Sequence, residues 1–200
     1  MKKTHIVLPE RMETERLFLR PYRAGDGPMF FMASIRNHEH LNEFEWGNVL
    51  MHLSDEEHSE RVVRDLSAKW KAAKYFFIGL FEKTGGEWAG QVYVAPTNPN
   101  LPEFTIGFVA DINFEGKGYM TEAVNRILET LFNELNAHRV ISDCHEKNIR
   151  STRLLERCGF TREGHLRKNK KNPDGNFHGD YLYGLLRDEY LLNRMKNKEN

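Results

Sequence analysis

The residues with the clearest chemical potential stand in Asp111-Ile-Asn-Phe-Glu-Gly-Lys-Gly-Tyr-Met-Thr-Glu-Ala123, where an apolar run gives way to two glycines and then to a helical pattern. Glycines allow positive φ and a close approach of the backbone to a ligand. The first amides of the following helix lack internal acceptors and lie at the positive end of its dipole. That geometry binds a phosphate or pyrophosphate with few basic side chains. It suits a chain in which 29 Lys and Arg balance 29 Asp and Glu. Two nucleotide motifs do not fit. Gly116-x-Gly118 lacks the third glycine of a dinucleotide fingerprint, and no Gly-Lys-Ser/Thr follows four spacer residues as in a P-loop. On local pattern alone, an ordinary tight turn remains the alternative.

Other reactive residue types form weaker patterns. Cys144 and Cys158 are the two cysteines, too few for a disulfide framework or a four-thiolate metal site. Cys158 reads as a packing thiol, and Cys144 as a thiol on a strand. His38, His40, His52 and His58 match no two-histidine metal spacing and read as surface residues, so no metal is expected. Lys168, Lys170 and Lys171 form a basic hairpin tip, read as a solvated loop. Zero net charge argues against bulk attraction to nucleic acid or an anionic membrane. No apolar stretch approaches the ~18–20 residues that span a bilayer. The opening apolar run is too short for a secretory signal, so a cytoplasmic, reducing setting is expected.

The 200 residues suffice for one domain with a sizeable core, supplied in part by thirteen Phe. Periodicities alternate along it. Leu17–Arg20 reads as a strand closed by Pro21, and Asp26–Ile35 as a helix capped by Asp26. Residues 36–53 read as irregular. Ser54-Asp-Glu-Glu57 has the form of a capping box that opens a helix through Trp70. Tyr75–Phe81 and Trp88–Val94 flank Thr84-Gly85-Gly86, a hairpin signal. Phe104–Val109 is a third strand, and Val124, Ile127, Leu128, Leu131 and Leu135 mark the helix after the glycines. Val140–Cys144 is a strand, Asn148 starts a short helix that Gly159 ends, and two last strand-like runs bracket Asn172-Pro-Asp-Gly175. Residues 1–12 read as a lead-in and 189–200 as a polar tail. The expected class is α/β with a mixed, mostly antiparallel sheet of about seven strands and flanking helices.

The glycine turn, the strand after it, Asn148-Ile-Arg-Ser151 and Leu154-Leu-Glu-Arg-Cys-Gly-Phe-Thr-Arg-Glu-Gly164 together resemble the GCN5-related N-acetyltransferases (GNAT). Glu13-Thr-Glu-Arg-Leu-Phe-Leu-Arg-Pro-Tyr22 is similar to the first strand of the RimJ/RimL-like branch, which modifies ribosomal-protein N-termini. The resemblance covers roughly residues 13–188, as a single GNAT domain.

The resemblance implies acetyl-CoA as co-substrate. The family turn runs Gln or Arg, two residues, Gly, one residue, then Gly or Ala. Glu115-Gly116-Lys117-Gly118-Tyr119-Met120 matches it, with Glu115 and Met120 as departures. Backbone groups of Gly116, Lys117, Gly118, Tyr119, Met120 and Thr121 are then expected around the pyrophosphate, with Glu115 facing solvent. Strand 104–109 is expected to splay from its neighbour, so that the backbone of Phe108 and Ala110 pairs with the pantetheine arm. Asn148 and Ser151 match the family pair beside the pantetheine and thioester, and Asn148 also suits a helix cap. Leu155 stands where many members carry a Tyr general acid. Glu103 is the candidate base, against a solvated strand-edge carboxylate, and Ser151 the other candidate catalytic group.

The implied activity is acetyl transfer to a primary amine by direct attack in a ternary complex, with a ribosomal-protein-type N-terminal α-amine as preferred acceptor. The alternatives are a small-amine enzyme acting on polyamines or aminoglycoside-like compounds, and a non-catalytic CoA-binding module. No direct nucleic-acid or membrane partner is expected, and a homodimer stays open.

Overall fold

A computed structural model describes residues 6–98 and 101–196. In chain order the elements are β1 (Met12–Glu13), β2 (Leu17–Pro21), α1 (Gly27–Phe44), a 3-10 turn at Val49–His52, α2 (Glu56–Lys71), β3 (Phe76–Glu82), β4 (Trp88–Asn98) and β5 (Glu103–Ala110). There follow α3 (Tyr119–Glu129), a π-helical segment at Thr130–Glu134, β6 (Arg139–His145), α4 (Ile149–Arg157), β7 (Thr161–Lys171), β8 (Phe177–Leu186) and α5 (Arg187–Lys196). The strand order is β1-β2-β3-β4-β5-β6-β8-β7. Pairs β1–β2, β2–β3, β3–β4, β6–β8 and β7–β8 are antiparallel, whereas β5–β6 is parallel. The mixed, mostly antiparallel sheet matches the expected class, and the two-residue β1 is the strand beyond seven.

The chain forms two compact units, one running to Ala95 and including Phe108–Arg126, the other comprising Pro96–Gly107 and the chain from Ile127. In the first, β2, β3, α1 and α2 enclose a core of Tyr22, Phe30, Ala33, Leu41, Leu50, Val63, Leu66, Phe81, Trp88 and Val109. A polar seam in this core is satisfied: the Trp88 indole donates to the Tyr22 hydroxyl (2.9 Å), which donates to Gln91 Oε1 (3.0 Å). In the second unit Val140, Leu185, Leu155, Leu131 and Phe132 are buried.

The structure departs from the local expectations in four places. α1 runs on to Phe44 instead of ending at Ile35, because no glycine or proline interrupts residues 29–46 and buried Asn37 and Leu41 give the extension an inner face. Asp26 occupies the N-cap position without capping; its carboxylate takes Arg20 (2.6 and 2.9 Å), and Glu60 accepts the amides of Gly25 and Gly27. The cap of α2 is Asp55, which accepts the His58 amide at 2.7 Å, while Ser54 donates to Asp55 and Glu57 pairs with Arg61. The expected polar tail is also structured as far as Lys196: α5 buries Tyr190, which stacks on Phe132 at 4.6 Å.

Replacing Tyr22 with Phe deprives the buried Trp88 N–H and Gln91 of their shared partner, so Tyr22→Phe is expected to lower unfolding free energy by about 1–3 kcal/mol, read by urea denaturation. An unchanged midpoint would show that the seam contributes nothing.

Candidate active site

In the first unit, the loop between β5 and α3 starts on a buried carboxylate. Asp111 has no exposed side-chain surface and accepts from Arg36 Nε (2.9 Å), Arg36 Nη2 (2.5 Å) and Asn37 Nδ2 (2.9 Å). Its other oxygen accepts the Asn113 amide (2.9 Å), and Asn37 Oδ1 accepts the Ile112 amide (2.8 Å). The Asp111 amide itself donates to Ala89 O at 3.0 Å. α1 therefore holds the start of the loop through two side chains, Arg36 and Asn37.

The loop ends on Gly116 (φ +70°) and Gly118 (φ +82°), both in the left-handed region where a side chain is strained. A Cβ at Gly116 would meet nothing within 4 Å, so the space beside it is open. Gly116, Lys117 and Gly118 are exposed, Tyr119 and Thr121 half-buried, and Met120 buried. Glu122 N donates to Gly118 O (3.1 Å), so the helical bonding of α3 starts from the glycine turn. Met120 departs from the family's small residue without obstructing the turn, since its side chain is buried.

Two expectations about this loop were wrong. Glu115 does not face solvent: its side chain is only 25 % exposed, and Oε1 lies 2.9 Å from His40 Nε2. His40 is correspondingly not a free surface histidine. Lys117 turns its ammonium back to Asn113 O (2.7 Å). Phe108 and Ala110, near the end of β5, are half-buried.

In the second unit, the β5–β6 ladder is short. Glu103, Phe104 and Thr105 pair with Arg139, Val140 and Ile141, and Ser142 Oγ donates to Ile106 O at 3.0 Å. No further register follows, although β6 continues to His145. Asn148 Oδ1 accepts the Ser151 amide (3.1 Å), so the expected cap of α4 is present, and Cys144 Sγ lies 3.7 Å from Thr152 Oγ1. Burial pushes the Cys158 thiol up to about 12, which keeps it protonated and unreactive. Glu103 sits at the start of β5. Its carboxylate accepts from Thr97 Oγ1 (2.8 Å) and lies 3.5 Å from Arg139 Nε, whose guanidinium also binds Glu163. Leu155 is fully buried, and the hydroxyl of buried Tyr183 donates to Glu156 Oε1 at 3.3 Å.

Of the charged group where β6, β7 and β8 meet, sequence reasoning singled out Lys170 alone, as part of a solvated loop; the residue lies instead on β7 and pairs with Asp143 and Asp180. His145 stacks on His178 (centroids 4.1 Å, 20° between planes), and Asp180 binds Asn169 (2.8 Å) and Lys170 (2.9 Å). Burial would raise the Asp180 carboxyl, but Asn169 and Lys170 outweigh it and hold it below its ordinary value. Burial lowers the His145 imidazole, helped by His178 and opposed by Asp180 and Glu146. Among the described residues no group of His, Cys, Asp and Glu has a metal-binding arrangement, and no helix is long and apolar enough to cross a membrane.

The Acetyltransferase (GNAT) domain family matches residues 16–161, a span that includes the turn, the cap of α4 and the Cys-Gly-Phe run. The chain belongs to the GNAT acetyltransferases. Within the family it is similar to the uncharacterised N-acetyltransferase YnaD of Bacillus subtilis, 40 % identical over 88 residues, or 44 % of this chain and 51 % of that protein. It is also similar to the ribosomal protein uS5-alanine N-acetyltransferase of Escherichia coli, 26 % identical over 125 residues, or 62 % of this chain and 64 % of that one. The chain thus matches these curated relatives over about half to just under two-thirds of their own length. The solved structure of RimL, a ribosomal L7/L12 α-N-protein acetyltransferase in complex with coenzyme A, superposes with a TM-score of 0.81 at 19 % identity, covering 90 % of this chain and 99 % of that one. This likeness is one of fold.

Two outcomes are expected for this GNAT domain. Asp111→Ala removes the acceptor shared by Arg36, Asn37 and the Asn113 amide and, with the Arg36 side chain 36 % exposed and able to hydrate, should cost about 1–3 kcal/mol in denaturant unfolding; a loss within experimental error would remove Asp111 as the anchor. His145 binds its proton less well folded than unfolded, so the unfolded state takes up more protons below about pH 6.5 and stability falls on acidification. His145→Gln should flatten the thermal midpoint between about pH 7 and 5, where histidines change charge. An unaltered slope contradicts this.

Proposed function

We propose that this GNAT domain transfers acetyl from acetyl-CoA to a primary amine, and that the acceptor is a protein N-terminal α-amine of the ribosomal-protein type. One observation carries the first part: the family-matched turn has two left-handed glycines, open space at Gly116, and helix-start amides directly after it. Those features fit a diphosphate, which the amides of 116–121 would hold with little help from Lys117. The coenzyme supplies a thioester whose thiolate is a good leaving group.

The chain's own residues do the rest. Phe108 and Ala110 offer backbone groups to the pantetheine arm, and Asn148 and Ser151 are the residues that match the family pair expected for that arm. Strand amides polarise the thioester carbonyl. An α-amino group, with a pKa of ~7.7–8.0 against ~10.4 for lysine, is substantially neutral near physiological pH, so its attack needs little base assistance. This suits a chain in which Leu155 replaces the family's Tyr and Glu103 is engaged by Thr97 and Arg139. A thiol with pKa ~8.5 can leave with little protonation. The likeness to the uS5-alanine acetyltransferase supports the N-terminal acceptor.

The test is thiol release from acetyl-CoA across N-terminal peptides, lysine peptides, polyamines and aminoglycosides. The expected result is release with N-terminal peptides foremost. A preference for polyamines would reassign the acceptor, and coenzyme binding without release from any amine would make the domain a sensor. Gly118→Ala, which forces a Cβ into the left-handed region at a cost of ~1–2 kcal/mol, should weaken CoA binding about tenfold or more; undiminished affinity would remove the turn from the coenzyme site.

A further inference from the structure

The proposed diphosphate turn is flanked by two carboxylates, Glu115 before the glycines and Glu122 in the first turn of α3. Glu122 suits the helix dipole, but an uncompensated charge at either position opposes an anionic ligand. Lys117, between them, directs its ammonium to Asn113 O (2.7 Å). Each carboxylate is met instead by a basic side chain from a distant part of the first unit. Arg16 binds Glu122 twice, through Nε (2.7 Å) and through its own amide (2.9 Å), and Nη2 also lies 2.7 Å from Oε2. The same guanidinium donates from Nη1 to Lys117 O (2.9 Å) and covers the Tyr119 ring at 4.2 Å. His40 Nε2 lies 2.9 Å from Glu115 Oε1. One turn back on α1 the next basic side chain, Arg36, is committed to Asp111.

We propose that Arg16 and His40 are coenzyme-positioning residues: they neutralise the carboxylates on either side of the turn, and Arg16 also fixes the Lys117 carbonyl so that the amides after it stay directed at the diphosphate. This rests on the assignment of the turn to the coenzyme. Burial would raise the Glu122 carboxyl, but hydrogen bonds from Thr14 and Arg16 outweigh it and lower its pKa, so it remains ionised at neutral pH. Loss of Arg16 therefore leaves a full negative charge at the start of α3. The guanidinium is partly exposed, so the effect should weaken as salt screens it.

The experiment is calorimetric titration with CoA of the parent, Arg16→Gln, Arg16→Gln/Glu122→Gln, His40→Gln and His40→Gln/Glu115→Gln. It is run at about pH 6, where imidazoles are ordinarily charged, and at two salt concentrations. Arg16→Gln should weaken binding about tenfold and His40→Gln about threefold, the size of one screened charge contact. Removing the facing carboxylate in the double variants should recover most of each loss, and with acetyl-CoA the deficit should fall on KM rather than kcat. Double variants that bind no better than the single ones, with thermal midpoints intact, would overturn the charge-masking role. Should Arg16→Gln fail to fold, the His40 and Glu115 pair decides on its own. A parent that gives no heat with CoA refutes the assignment of the turn, which is a separate failure.

Discussion

Asp111 is a carboxylate with no exposure, and its burial is possible only because Arg36 and Asn37 satisfy it from α1. Removing it from water is costly, so the loop that carries it has little freedom to sit elsewhere. With Asp111 fixed, the amides of Ile112 and Asn113 are also fixed, by Asn37 and by Asp111 itself. The loop then has four residues in which to reach Gly116, whose left-handed backbone turns the chain into α3. The proposed coenzyme turn therefore depends on a clasp whose residues never need to touch the coenzyme.

Around that clasp, the first unit uses charge sparingly. Arg16, Arg36 and His40 each hold one acidic partner next to the turn, and none of them is left as a general attraction for anions. Recognition of a diphosphate would then come from backbone dipoles, a design compatible with a chain of zero net charge. The second unit follows a different logic. Its short parallel ladder ends at Thr105 and Ile141, and the cap of α4 brings the Asn148 side chain onto the Ser151 amide.

Legibility in the sequence followed the range of the interaction. The glycine turn, the helix after it and the Asn148 cap are written in residues within four or five positions of one another, and all three are found as expected. The Asp111 clasp joins residues 75 positions apart, so no local pattern announces it. The same holds for His40 and Glu115, which look like a surface histidine and a solvated carboxylate until the fold pairs them. In α1, His38, Glu39 and His40 interrupt the apolar spacing, whereas the inner face there is built from Asn37 and Leu41. α5 was hidden by its Asn, Lys and Arg content, although Tyr190 had an aromatic partner in Phe132.

The account stands on the backbone amides after the clasp receiving a diphosphate. Amide hydrogen–deuterium exchange of the intact protein, with and without CoA, reads this directly. The account predicts that exchange slows over residues 116–121 on adding CoA. Protection confined to other segments, with residues 116–121 exchanging at the same rate in both conditions, would contradict it.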